Sequence, residues 1–157
     1  MSRIERSIEV KVPTRVAYNQ WTQFEDFPKF MEGVERVVQE DDRFLRWTAT
    51  IAGQRREWTA EIVDQTPDVR IAWTSIDGAA NAGAVMFVPI GAEQTRVTLA
   101  MEVEPGDPAE SIGVALGFLD RQVTGDLERF KDFMESRGVP TGAWRGEIHG
   151  DRVQPGR

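Results

Sequence analysis

Cysteine is absent from the 157-residue chain, which excludes disulfides, thiolate catalysis and cysteine-held zinc or iron–sulfur sites. Histidine occurs once, as His149 near the C-terminus. A multi-histidine metal site and a Ser-His-Asp triad are therefore excluded from the body of the chain, and no metal is expected. Gly-x-Gly-x-x-Gly and P-loop patterns are missing too, so no nucleotide cofactor is expected, nor any other. No apolar run approaches the ~18 residues that span a membrane. The start, Met-Ser-Arg-Ile-Glu-Arg, lacks the basic-then-apolar pattern of a signal peptide. The expectation is a cytoplasmic protein without integral membrane association. Positive charge is also in short supply: 19 Lys+Arg face 26 Asp+Glu, a formal net charge of −7. Such a balance argues against a nucleic-acid partner and weakens docking on anionic lipid. It selects no protein partner.

What is present suits one globular domain. Hydrophobic residues make up 40% and charged residues 29%, and a chain of this length buries roughly 68–70% of its unfolded surface. Residues 4–12 alternate, with Ile4, Ile8, Val10 and Val12 on one face and only Arg6 breaking it, as in a half-buried strand. Two short helices follow, about 13–22 and 24–31, the second limited by Pro28. Six strand candidates come next, between Val34 and Val103, with turn signals at Ala52-Gly-Gln54, Thr66-Pro-Asp68, Asp77–Asn81 and Pro89–Gly91. Short connections make this an antiparallel meander. After the Pro105-Gly-Asp-Pro108 break, Ile112, Leu116, Leu119, Val123, Leu127, Phe130 and Met134 form one apolar stripe, predicting a helix over 109–137. Residues 1–140 read as a single domain. Residues 141–157 read as a partly disordered tail with Trp144 and Ile148 as its few anchors.

A meander of this size must bury its apolar face, and the C-terminal helix is the one element long enough to cover it. The order therefore gives an α+β architecture: a strongly curved antiparallel sheet of about seven strands around a long helix, with two short helices after the first strand. This order, with Ser7-Ile-Glu-Val-Lys-Val-Pro13, Val16-Ala-Tyr-Asn-Gln-Trp21, Phe27-Pro-Lys-Phe-Met31 and Gly83-Ala-Val-Met-Phe-Val-Pro89, resembles the START-like, helix-grip superfamily. Its polyketide cyclase/dehydrase and coenzyme Q-binding branch is the nearer likeness, over about residues 3–137. The resemblance implies a mostly apolar pocket between sheet and helix, used in that superfamily for lipids, quinones, steroids or polyketides. It carries no catalytic motif.

Strand parity supplies the candidates. With Trp47, Trp58, Trp73 and Phe87 taken as core-facing, Arg56, Ser75, Asp77 and Asn81 share their side. An inward Arg56 would hold a carboxylate, phenolate or enolate; near the strand start it is otherwise a solvated rim residue. The tryptophans, Phe87 and Met101 either line a cavity, where aromatic faces stack on a flat ligand, or are plain core. Tyr18, the one tyrosine, either donates to a ligand oxygen or keeps a wet hydroxyl at the rim. Gly113 and Gly117, beside Leu116, either shape a pocket or allow close helix–sheet contact; Gly125 shares the choice. Asp77 and Asn81 also suit a turn. The acidic pairs are solvated charges, and His149 sits in the tail, which would have to fold back over the pocket for a catalytic role.

The expected function is binding of a hydrophobic small molecule, lipid, quinone or polyketide-like, between sheet and C-terminal helix. Two alternatives stay open. One is a polyketide aromatase/cyclase or dehydrase that folds its substrate while Arg56 and Tyr18 polarise carbonyls. The other is a non-catalytic protein-interaction or stress protein that uses the acidic surface and the Trp144 tail.

Overall fold

A computed structural model describes residues 2–51, 53–78, 81–103 and 112–155. The chain runs β1 (Ser2–Val10), α1 (Thr14–Trp21), a 3-10 helix (Phe24–Lys29), β2 (Val34–Gln39), β3 (Phe44–Ile51), β4 (Gln54–Thr66), β5 (Arg70–Gly78), β6 (Asn81–Gly91), β7 (Gln94–Val103), α2 (Ile112–Arg137), β8 (Glu147–His149) and β9 (Arg152–Gln154). Pro28 inside the second short helix removes a donor and holds the segment to one tight 3-10 stretch.

The sheet is antiparallel in the order β1-β7-β6-β5-β4-β3-β2. The meander accounts for six strands, and β1 joins it through β7, with Ile4 opposite Met101 and Ile8 opposite Val97. The α2 stripe of Leu119, Val123, Leu127, Phe130 and Met134 is buried. Polar ties fix how α2 lies along β1: Arg6 Nε meets Asp120 at 2.7 Å, and Lys131 Nζ donates to the Glu9 carbonyl at 2.9 Å. Arg6, the break in the β1 pattern, is thus the ion-pair partner of α2. No helix among the described residues is long and apolar enough to cross a membrane.

The segment after Pro140 departs from the expected tail. Residues 141–155 fold onto the sheet; Gly156 and Arg157 lie outside the described residues. β8 takes the flank of β4 that β3 leaves vacant beyond Phe44–Glu61, with Gln65 opposite Ile148 and Asp64 opposite His149. Ile148 is completely buried. The backbone N–H groups of Thr141 and Trp144 donate to Gln20 Oε1 (2.8 Å) and Thr22 Oγ1 (3.1 Å) of α1 and its cap. The Arg145 guanidinium spans Asn19 Oδ1 (2.6 Å) and Asp68 Oδ2 (2.7 Å). These polar contacts act together with the apolar anchors Ile148, Trp144 and Val153, and they explain why Asn19, Gln20 and Thr22 are buried on α1 and its cap.

Candidate functional site

The side of the sheet that faces α2 divides into two unlike halves. One is filled. Trp21 packs edge-on against Phe130 (centroids 4.9 Å), Phe30 lies 5.2 Å from Phe130, and Phe27 bridges to Trp21 and Phe24, each at 5.5 Å. Tyr18 and Phe87 extend this cluster, with rings 5.5 Å apart. All of these side chains are buried, and edge-to-face geometry suits their quadrupoles.

The other half lies where β3, β5 and β7 end and β4 and β6 begin. Trp58 pairs directly with Trp47 across β3–β4, and the two indoles stack at 5.6 Å and 11°. Arg56 is two residues along β4, opposite Ala49. Its Nη2 donates to Gln54 Oε1 at 2.9 Å, and its Nε is buried with no partner among the described residues. On β5, Trp73 faces Gly83, and Gly83 faces Met101 on β7. Trp73, Ser75 and Met101 share the concave side yet remain half-buried.

Ser75 and Asn81 close the β5–β6 hairpin together: the Asn81 N–H donates to Ser75 Oγ at 3.0 Å. Asp77 does not join them. A register shift between Thr59 and Ala60 puts Asp77 opposite Thr59, on the far side of the sheet. There it accepts from the Thr59 N–H (2.8 Å) and Arg46 Nη1 (3.1 Å). The inward parity expected for Asp77 is therefore corrected by the bulge.

Tyr18 is not a rim residue. It is fully buried, and burial pushes its phenol up to about 12, with the Gln65 amide and Arg145 partly opposing the shift. Neither the hydroxyl nor the Gln65 amide forms a hydrogen bond of ordinary geometry. A second bulge, between Ile62 and Asp64, turns Gln65 inward opposite Ile71. Gln65 is nine residues from Arg56 on the same strand, about 30 Å at the usual rise. The structure thus sets Arg56 and Tyr18 at opposite ends of β4, and they do not meet at one substrate atom.

Gly113 and Leu116 belong to α2, but their side-chain positions lie outside the described residues. Gly117 is turned away from the sheet. Among the described residues, the one neighbour within 4 Å of a Cβ placed there is Arg121 Nη1, on the same helix at 3.6 Å. At 3.6 residues per turn Gly117 falls off the Leu119–Val123–Leu127 stripe, so neither a pocket wall nor close sheet contact accounts for it. Gly125 likewise meets the Arg129 guanidinium of its own helix.

Two features escaped the sequence reading. Gly83 is the first. A Cβ there would come within 2.5 Å of the Trp73 ring and 2.9 Å of the Ala100 carbonyl, so glycine is what lets that indole lie across β6. The pairing of Trp73 with Gly83 would have signalled it once the register was known. Asp126 is the second. Buried on α2, it accepts from Arg129 Nη2 at 2.6 Å, and burial pushes its carboxyl up to about 6 against that partner. Arg129 also donates to the Phe30 carbonyl (3.0 Å) and pairs with Glu32 (3.3 Å), tying α2 to the turn before β2.

Residues 10–132 match the family described as polyketide cyclase / dehydrase and lipid transport. The chain belongs to this family. The family's span runs from the end of β1 well into α2 and stops before β8, β9 and Arg145. A relative described as an uncharacterized 17.2 kDa protein in the melC2-rnhH intergenic region of Streptomyces lincolnensis is 50% identical over 149 residues, 94% of this chain and 99% of its own. Among solved structures, the Zhui aromatase/cyclase of Streptomyces sp. R1128 superposes with a TM-score of 0.70 at 17% identity, covering 90% of this chain and 98% of that one. A START superfamily protein of Mycobacterium smegmatis gives 0.68 at 16% identity, covering 87% and 97%. At those identities the two structures establish the START-like fold of this family member and nothing finer.

Proposed function

We propose that the protein binds a hydrophobic small molecule, lipid, quinone or polyketide-like, between the sheet and α2 at the end bordered by Arg56, Trp73, Ser75 and Met101. The uneven filling of the concave face carries this reading. Large apolar side chains that face α2 should be fully covered if the space beneath the helix were solid, as they are around Trp21 and Phe130. Trp73 and Met101 face the same way and remain half-covered. An apolar lining with few polar groups is the usual composition of a small-molecule site. Family membership and the aromatase/cyclase neighbour point in the same direction.

Cyclase or dehydrase chemistry on such a ligand would use Arg56 to polarise a carbonyl, without Tyr18. The test is native mass spectrometry of freshly purified protein, followed by denaturing extraction and an apolar fluorescent probe such as 1-anilinonaphthalene-8-sulfonate. A co-purifying apolar mass, or probe binding that Trp73→Ala or Met101→Ala alters, is the expected result. A clean protein mass with no probe binding would overturn the reading.

A further inference from the structure

We propose that the site has a length limit: a sealed row of side chains closes it one step in from its open end, so that it buries a short alkyl segment and gains nothing from a long tail. This rests on the binding reading above and narrows the class of molecule that the site selects.

The limit is set by two neighbouring rows of the sheet. Trp73, Gly83 and Met101 face one another across β5, β6 and β7, and all three are half-buried. Ile71, Val85 and Leu99 form the next row inward, two residues or about 7 Å along the strands. These are sealed, at 0%, 0% and 2% exposure. Covering thus changes from partial to complete within a single step. Behind that step, Phe87 and Val97 pair directly and are buried too. The outer row is also closed at both ends, because Ile4 beside Met101 and Ile62 beside Trp73 are buried. From Ser75, at the open end of β5, to Ile71 is roughly 13 Å at the usual strand rise.

The helix sets a similar length. From Leu119 onward the apolar stripe of α2 is buried, and Phe130 is locked edge-on against Trp21. Of α2, residues 112–118 remain to roof the other half, roughly 10 Å of helix at ~1.5 Å per residue. An extended alkyl chain advances ~1.3 Å per carbon, so these lengths hold about eight to ten carbons. Each methylene buried within that span tightens binding about fourfold. A further carbon stays in water or must force the sealed row apart, which overpacks a filled core. A long-chain lipid therefore gains no more from its tail than a short one does.

Displacement of 1-anilinonaphthalene-8-sulfonate from the full chain by straight-chain alkanoates, from hexanoate to tetradecanoate, tests this. One head group runs through the series, so its contribution cancels. Affinity is expected to rise about fourfold per carbon up to eight to ten carbons, and by less than about 1.5-fold per carbon after that. Leu99→Ala removes part of the sealed row and should move the break about two carbons further. If that variant does not fold, the wild-type series decides alone.

Fourfold tightening that continues through tetradecanoate overturns the length limit and leaves the binding reading standing. A bound fluorophore that no alkanoate displaces does the same. No fluorophore binding, with no co-purifying molecule, overturns both.

Discussion

The ring of Trp73 crosses Gly83 so closely that a Cβ at position 83 would sit 2.5 Å from it. Alanine would ordinarily strengthen a strand position. Here it must displace the indole or the strand, and overpacking of this kind costs about 1–3 kcal/mol. Gly83→Ala should lower the melting temperature and shift the tryptophan emission. An unchanged melt would mean that Trp73 moves aside freely and is not held where the site needs it.

Asp126 gives the stability a pH dependence of unusual sign. Burial holds its carboxyl near 6, against about 4 in the unfolded chain. Between those values the folded state binds more protons at this site, so the stability that Asp126 contributes is fully present below about pH 4 and is lost as pH rises through about 6. The loss is on the order of 2–3 kcal/mol. Denaturant titrations of wild type and Asp126→Asn across that window should diverge, the wild type losing stability relative to the variant as pH rises. Parallel profiles would place the carboxyl's titration in the ordinary range.

Tyr18 predicts a second window. Its buried phenol holds the proton to about 12, whereas the unfolded chain releases it near 10. Stability should fall as pH rises from 10 to 12, and Tyr18→Phe should remove that part of the loss. At neutral pH the substitution deletes a buried hydroxyl whose contact with the Gln65 amide falls short of ordinary hydrogen-bond geometry, so stability should change by no more than about 1 kcal/mol. Probe affinity should not change, because the hydroxyl is remote from Arg56.

Ile148 tests the C-terminal hairpin. It is fully buried against β4, and truncation to alanine should cost about 2–4 kcal/mol in equilibrium unfolding. A value near zero would reduce the hairpin to a surface ornament.

Gly117→Ala separates the two faces of α2. With Arg121 the one near neighbour among the described residues, the change should stabilise the helix by up to about 1 kcal/mol and leave probe binding as it was. Weakened binding would return Gly117 to the pocket wall.

Much of this was legible in the chain. Alternation in residues 4–12 and 45–62 gave the strands. The Leu119–Met134 stripe gave α2, and the element order gave the curved sheet around it. The site was legible only up to the bulges. Parity correctly groups Arg56 with Trp58, and Ser75 with Trp73, but one extra residue near Ile76 sends Asp77 to the other face, and nothing in the local sequence marks the shift. The tail was misread for a related reason. Beside the apolar anchor Ile148, much of its anchoring is polar, through Thr141, the Trp144 backbone and Arg145, and hydrophobic periodicity is blind to polar docking. Gly117 needed only a closer helical wheel, since it lies off the stripe on which Leu119 and Val123 stand.

The pairing of β1 with β7 also sets a timetable. Among the described residues, Ser2–Val10 precedes the other strands in the chain and its ladder partner is Gln94–Val103. At ~5–20 residues per second, roughly five to twenty seconds of synthesis separate the two. Among the described strands, the hairpin that pairs with β4 is made last. Until β7 emerges, the nascent chain carries an alternating apolar strand with a free edge, which is the kind of segment that is prone to aggregate. The meander from β2 to β7 can assemble locally as it is made, while closure of both sheet margins waits for distant chain.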